Sequence, residues 1–302
     1  MATTTQFKTY DAQAIREQIS DVIYDISPTD TPFLSSVAKK GKVSNTFFEW
    51  QTDSLTAASG SNKHIEGAAV GAASMTDTTR LGNYTQISKK VLEVTGTHET
   101  VDQAGKKSEM AYQLAKASKE IKRDMETTLL STQAAAAGDS STARATKGAA
   151  AFITTNVVSA GVTGTHAAVT DDDIVNAAEL CWTAGGSPST IILGATNKKV
   201  VTALSGRASQ TQSVVDDNKS IYNAVEVYVT DFGTFNIQLD RYCDQDLIYV
   251  LDNDMWSVDF LRDFQTVDIA KVGDSDKKML LVEYGLRCNN EAGNAKIQYT
   301  TG

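Results

Sequence analysis

In the first half of the chain apolar side chains recur at steps of three and four; in the second half they alternate with polar ones or run together. Ile15, Ile19, Val22, Ile23 and Ile26 keep the helical spacing behind Asp11, a good N-cap, and predict an amphipathic helix over 11–26. Pro28 ends it and, with Pro32, makes SPTDTPF a stiff, extended connector. Phe33, Leu34 and Val37 give a short apolar anchor before a turn at Lys39-Lys40-Gly41-Lys42. Over 43–55 the pattern becomes that of a strand, with Phe48, Trp50 and Thr52 on one face and Glu49, Gln51 and Asp53 on the other. Residues 84–97 read as a second strand, after about 28 residues rich in Ala, Gly, Ser and Thr. A structureless stretch of that length inside a compact body is unusual. The expectation is therefore a long hairpin that projects from the body, mobile at its tip near 57–75, and buried only against a neighbour.

Residues 100–133 carry the strongest helical pattern. Met110, Leu114, Ala117, Ile121, Met125 and Leu129 form one stripe, with Lys116, Lys119, Lys122, Arg123 and Glu126 largely off it. A helix of that extent spans roughly 50 Å. Residues 134–148 read as an exposed loop. Thr170 and Asp173 then mark a capped helix start, with acids suited to the positive end of the helix dipole, and Gly185-Gly186 marks its end. A short strand at Ser189–Leu193 and a short helix at 196–204 follow. From 225 onward strands dominate: a hairpin turning at Asp231-Phe232-Gly233, then DLIYVLD, FQTVDIAKV and KMLLVEYGLRC. Helices early and strands late predict a mixed α+β body.

At 302 residues the chain is long enough for about two domains. No apolar run approaches the ~18 residues of a membrane span, and the start lacks a signal-peptide pattern, which predicts a chain that stays in the cytoplasm where it is made. The charge balance is 28 − 37 = −9, which argues against tight binding to a phosphate backbone. Candidate chemistry fails on spacing. Gly105-Lys106-Lys107-Ser108 resembles the end of a phosphate-binding loop, but Thr100 stands where the first glycine belongs. Asp252-Asn253-Asp254 has the alternating acids of a calcium loop, but Ser257 replaces its turning glycine. Asp171, Asp172 and Asp173 are explained by their helix start. His64, His98 and His166 are scattered, no GxSxG elbow exists, and Cys181, Cys243 and Cys288 are widely spaced and read as buried thiols. No catalytic, cofactor or metal residue is expected.

The order of parts, and several long strings, resemble the major capsid proteins of tailed bacteriophages, whose Johnson fold encapsulin shells share. The strings are DAQAIREQISDVIYDISPTDTPFLSSV (11–37), EWQTDSL (49–55), RLGNYTQIS (80–88), AYQLAKASKEIKRDMETTLL (111–130), VTDFGTFNIQLDR (229–241) and the run 249–297. The resemblance implies an α+β fold with an N-terminal arm (1–41), an extended hairpin loop (42–97), a peripheral domain (98–160 and 265–302) around a spine helix at about 100–133, and an axial domain (161–264). It implies a structural, non-enzymatic subunit whose hexamers and pentamers build an icosahedral head around packaged double-stranded DNA. Such a subunit is assembled in the host bacterial cytoplasm and ends in the virion. The implied partners are other copies, a separate scaffolding protein (the arm begins almost at Met1), a portal and a decoration protein, with DNA touched only weakly and non-specifically, and no membrane. Phe48, Trp50, Lys63, Glu66, Arg80 and Tyr84 on the hairpin are the expected inter-subunit contacts, and Lys63 would be the donor if the shell cross-links Lys to Asn. An encapsulin-type nanocompartment shell is the same-fold alternative; an enzyme without a recognisable motif is the other.

Overall fold

A computed structural model describes residues 30–37, 39–56, 58–67, 75, 77–102, 105–162, 169–204 and 227–300. The helix expected over 11–26, His166 and the segment 205–226 lie outside them. In chain order the elements are α1 (Pro32–Ser36), β1 (Lys39–Lys42), β2 (Phe47–Thr52), β3 (Thr79–Tyr84), β4 (Gln86–Thr95), α2 (Gly96–Thr100), α3 (Glu109–Leu129), α4 (Ala149–Phe152) and β5 (Val157–Val162). Then come α5 (Asp171–Thr183), β6 (Thr190–Leu193), α6 (Ala195–Ala203), β7 (Val227–Thr230), β8 (Gly233–Leu239), β9 (Leu247–Leu251), β10 (Trp256–Ile269), β11 (Ser275–Cys288) and β12 (Ala295–Thr300). They make a four-stranded sheet in the order β1-β10-β11-β4, a six-stranded sheet in the order β5-β12-β9-β6-β8-β7, and the two-stranded hairpin β2-β3.

Two apolar cores share the six-stranded sheet. α1, α3, α4 and the four-stranded sheet enclose the first, which also takes Ile192, Tyr249 and Leu251 from β6 and β9. The second lies under α5, with Ile174, Ala177, Ala178 and Cys181 against Ile191, Leu193, Ile248 and Val250. Every residue of β6 and β9 is buried, since both faces are covered. That is why DLIYVLD reads as a continuous run and not as an alternation.

Several expected boundaries move. The long helix begins at Glu109, not at residue 100. Gly105 sits at φ +76°, a left-handed conformation that a helix interior does not admit. Past it, Ser108 Oγ accepts the Ala111 N–H (3.2 Å), and a Glu99 oxygen accepts those of Glu109 and Met110 (3.1 and 3.2 Å). The resulting 21 residues span roughly 31 Å. Its stripe is buried as expected at Met110, Ala117, Ile121, Met125 and Leu129, but Glu126 is buried with it. Residue 265 falls inside β10, and β12 returns to the six-stranded sheet, so the sheets divide the chain elsewhere than at 161 and 264. The loop 134–148 is not wholly exposed: Ala136 bridges Ala145, and Thr146 is buried.

The hairpin also changes partner. β2 pairs with β3, Phe47 opposite Tyr84 and Thr52 opposite Thr79, while β4 joins the four-stranded sheet beside β11. Only 79–84 of the second arm belongs to the projection. At Thr85 the chain crosses between sheets: its N–H donates to Thr46 O (2.8 Å) and its hydroxyl to buried Glu283 (2.9 Å).

Candidate assembly surfaces

The hairpin is fixed to its own subunit at the root. Asn83 is buried and uses its whole amide: Nδ2 donates to Thr146 Oγ1 (3.0 Å) and Leu286 O (2.6 Å), and Oδ1 accepts the N–H groups of Tyr84 (2.8 Å) and Lys147 (2.9 Å). Phe48 is buried over Gly285, where a Cβ would come within 2.5 Å of its ring. Trp50 stacks on Phe48 (5.8 Å between centroids) and tilts against Phe152 (6.1 Å). Phe48 and Trp50, expected to meet a neighbour, are therefore packed mainly within their own chain. The reason is strand alternation: the face that the sequence marks as apolar is the one turned to the body.

Glu283 anchors the same junction. It accepts from Thr85, from Arg144 Nη2, and from Arg262 Nε at 2.8 Å, with its side chain 3% exposed. Arg144 also donates from Nε to Thr85 O (2.7 Å). One enclosed carboxylate thus holds β3, β4, β10 and the 134–148 loop together. Sequence reading missed it, because Glu283 sits among apolar neighbours in β11 without a local signal.

The opposite face of the hairpin and its tip are outward. Phe47 packs on Tyr84 at 4.7 Å, and Arg80 pairs with Glu49 at 2.5 Å. Lys63, His64 and Glu66 are exposed, and so are Leu55 (98%), Ile65 (84%) and Met75 (91%). A second outward patch lies on the six-stranded sheet's side: Trp182 of α5 meets Phe232 of the β7–β8 turn at 6.0 Å, near exposed Val227 and Val229. These are surfaces for contact, not pockets for chemistry.

The motifs weighed for chemistry have structural roles. Lys106 pairs with Glu109 at 2.6 Å beside the helix start. Asp252 accepts the Asp254 N–H (3.1 Å) in a 3-10 turn. Thr170 and Asp173 form a reciprocal capping box. Burial pushes the thiols of Cys181 and Cys288 up to about 12, and raises that of Cys243 as well, so all three stay protonated and unreactive. Among the described residues, no cluster of three or more metal-capable side chains occurs.

The profile of the family described as SU10 major capsid protein matches residues 1–301. The chain belongs to that family. The major capsid protein of Escherichia phage Phieco32 is 29% identical over a 337-residue alignment covering 96% of each chain. Among solved structures, the chain is similar to the capsid of Cyanophage A-1(L), with a TM-score of 0.69 at 14% identity, covering 98% of this chain and 99% of that one. It is similar to the capsid of a native GTA particle, with a TM-score of 0.69 at 11% identity, covering 99% and 100%. It is likewise similar to a chain of Microbacterium phage Oxtober96, with a TM-score of 0.67 at 14% identity, covering 98% and 99%. The fold is thus the mixed α+β capsid fold. This major capsid protein forms the head of a tailed phage, is structural and not enzymatic, and resides in the virion capsid. Membership displaces both alternatives, the encapsulin-type shell and the enzyme.

Proposed function

We propose that the subunit closes the head as hexamers and pentamers, with the β2–β3 hairpin laid on a neighbouring copy. One observation carries this: Leu55, Ile65 and Met75 stand almost fully exposed on the segment joining β2 and β3, beyond the part of the hairpin whose inner face is packed on its own chain. An isolated two-stranded hairpin is marginal in water, and a shell subunit needs surface that becomes buried on assembly. Lys63, Glu66, Arg80 and Tyr84 supply the polar and aromatic contacts; Phe48 and Trp50 do not. In this reading the extended loop runs from 42 to about 84. The peripheral region is the four-stranded sheet with α3, and the axial region is the six-stranded sheet with α5. The arm is the segment ending at β1. Scaffolding, portal and decoration proteins are proposed partners on the family likeness, and DNA is a weak, non-specific one. Deleting 57–74 and joining the arms by a short turn should leave a soluble, folded subunit that builds no closed shells in negative-stain images. Normal shells from that variant, or failure to fold, would reject the role.

A further inference from the structure

Two carboxyl groups meet inside the first core. Glu126 of α3 and Asp240, just past β8, both have no exposed surface. The oxygens of Glu126 accept two N–H groups from α1, that of Phe33 at Oε1 (2.6 Å) and that of Leu34 at Oε2 (2.8 Å). Asp240 Oδ1 accepts the Tyr242 N–H (2.8 Å), while Oδ2 is buried with no donor. Each carboxyl perturbs the other. Among the described residues, the remaining ionisable groups that bear on this place are Cys243 and Asp244 from the β8–β9 connection and Tyr249 of β9, whose hydroxyl donates to Leu130 O. Each of these is neutral or negative, and α1 (PFLSS) contributes no charge. Two enclosed carboxylates without a cation are strongly disfavoured.

One proton removes both difficulties. Placed between the carboxyls, it supplies the donor that Asp240 Oδ2 lacks and leaves the pair a single negative charge. We propose that Glu126 and Asp240 share one proton and form a pH-sensitive latch, which holds α1 on the long helix and loosens when that proton is lost to solvent.

Burial, and after it the nearby Asp240 charge, push Glu126 up to about 8 against the opposing pull of the two α1 N–H groups; burial raises Asp240 too. An unfolded chain releases the Glu126 proton near 4.5. The folded chain therefore holds an extra proton between those values. The stabilisation is complete at the acidic end and is lost as pH climbs through the folded value. If the segment before β1 is the arm, as read above, the latch governs how firmly that arm is seated on its own subunit.

The test is hydrogen exchange on the full-length subunit from pH 6 to 9, corrected for intrinsic rates and read at the Phe33 and Leu34 amides. Wild-type protection there should fall about tenfold per pH unit from pH 6 up to the folded value near 8 and level off above it, while amides inside α5 keep theirs. Glu126→Gln retains a carbonyl for α1 and offers an N–H to Asp240, so its protection should stay flat. Unchanged wild-type protection overturns the proposal, and so does a Gln variant that loses protection with the wild-type midpoint. Asp240→Asn is read by the same criterion if the Gln variant does not fold. If neither folds, the wild-type profile decides alone: a fall confined to α1 supports the latch, and a flat or chain-wide response rejects it.

Discussion

At the scale of single residues, the body is held by apolar anchors on one stripe and by a few enclosed polar side chains that fix where elements meet. Ile121 is fully buried in the first core, mid-way along α3. Truncating such a side chain costs roughly 2–5 kcal/mol through lost transfer energy and the cavity left behind. Ile121→Ala should therefore lower the melting temperature of the free subunit, measured by calorimetry; an unchanged curve would place the stripe elsewhere than in this core. Asn83 and Glu283 act differently. Burying them is favourable only because every lone pair and proton of Asn83 has a partner, and because Thr85, Arg144 and Arg262 surround the Glu283 carboxylate. Such groups tolerate one geometry, so they set the angle at which the hairpin leaves the body.

Among the described elements, the hairpin has incomplete surroundings. Its inner face is covered by β11 and α4, through Gly285 and Phe152, and its outer face and tip are not. Limited trypsin digestion should distinguish the two parts. Free subunits should be cut first at exposed Lys63 in the tip, ahead of Arg80 of β3, which is paired with Glu49 of β2. Assembled shells should be protected at Lys63. Equal cleavage rates in shells and free subunits, read by mass spectrometry, would show that no neighbour covers the tip. α3 makes the complementary case. Its ends are fixed locally, by Gly105, Ser108 and Glu99 at the start, and its buried face by the sheet it lies on.

Over the whole molecule, charge decides what the subunit repels. The net charge is −9, and Lys90 bridges to Glu120 and Asp124 along the long helix. Exposed Lys116, Lys119 and Lys122 remain on α3, but within a field that is negative overall. Few counterions can be released from DNA by such a subunit. Gel-shift binding to duplex DNA should be barely detectable at ~150 mM salt. Nanomolar affinity under those conditions would contradict it.

Features built from near neighbours in the chain were determined by the sequence alone. The stripe of α3, the Thr170–Asp173 capping box, the Gly185 stop and the turn before Gly233 each depend on residues within a few positions, and each stands where periodicity and caps placed it. The long matching strings likewise carried the capsid family. Features that join distant residues were decided only by the tertiary structure. Thr85 meets Glu283 across 198 positions, and that contact, not strand propensity, ends the hairpin at Tyr84 and sends β4 to another sheet. Glu126 looks like a solvated helix residue until α1, 92 positions earlier, supplies N–H groups to it. Periodicity reports which face of an element is apolar. Which partner covers that face depends on the full set of contacts competing for it, and local spacing does not encode that choice.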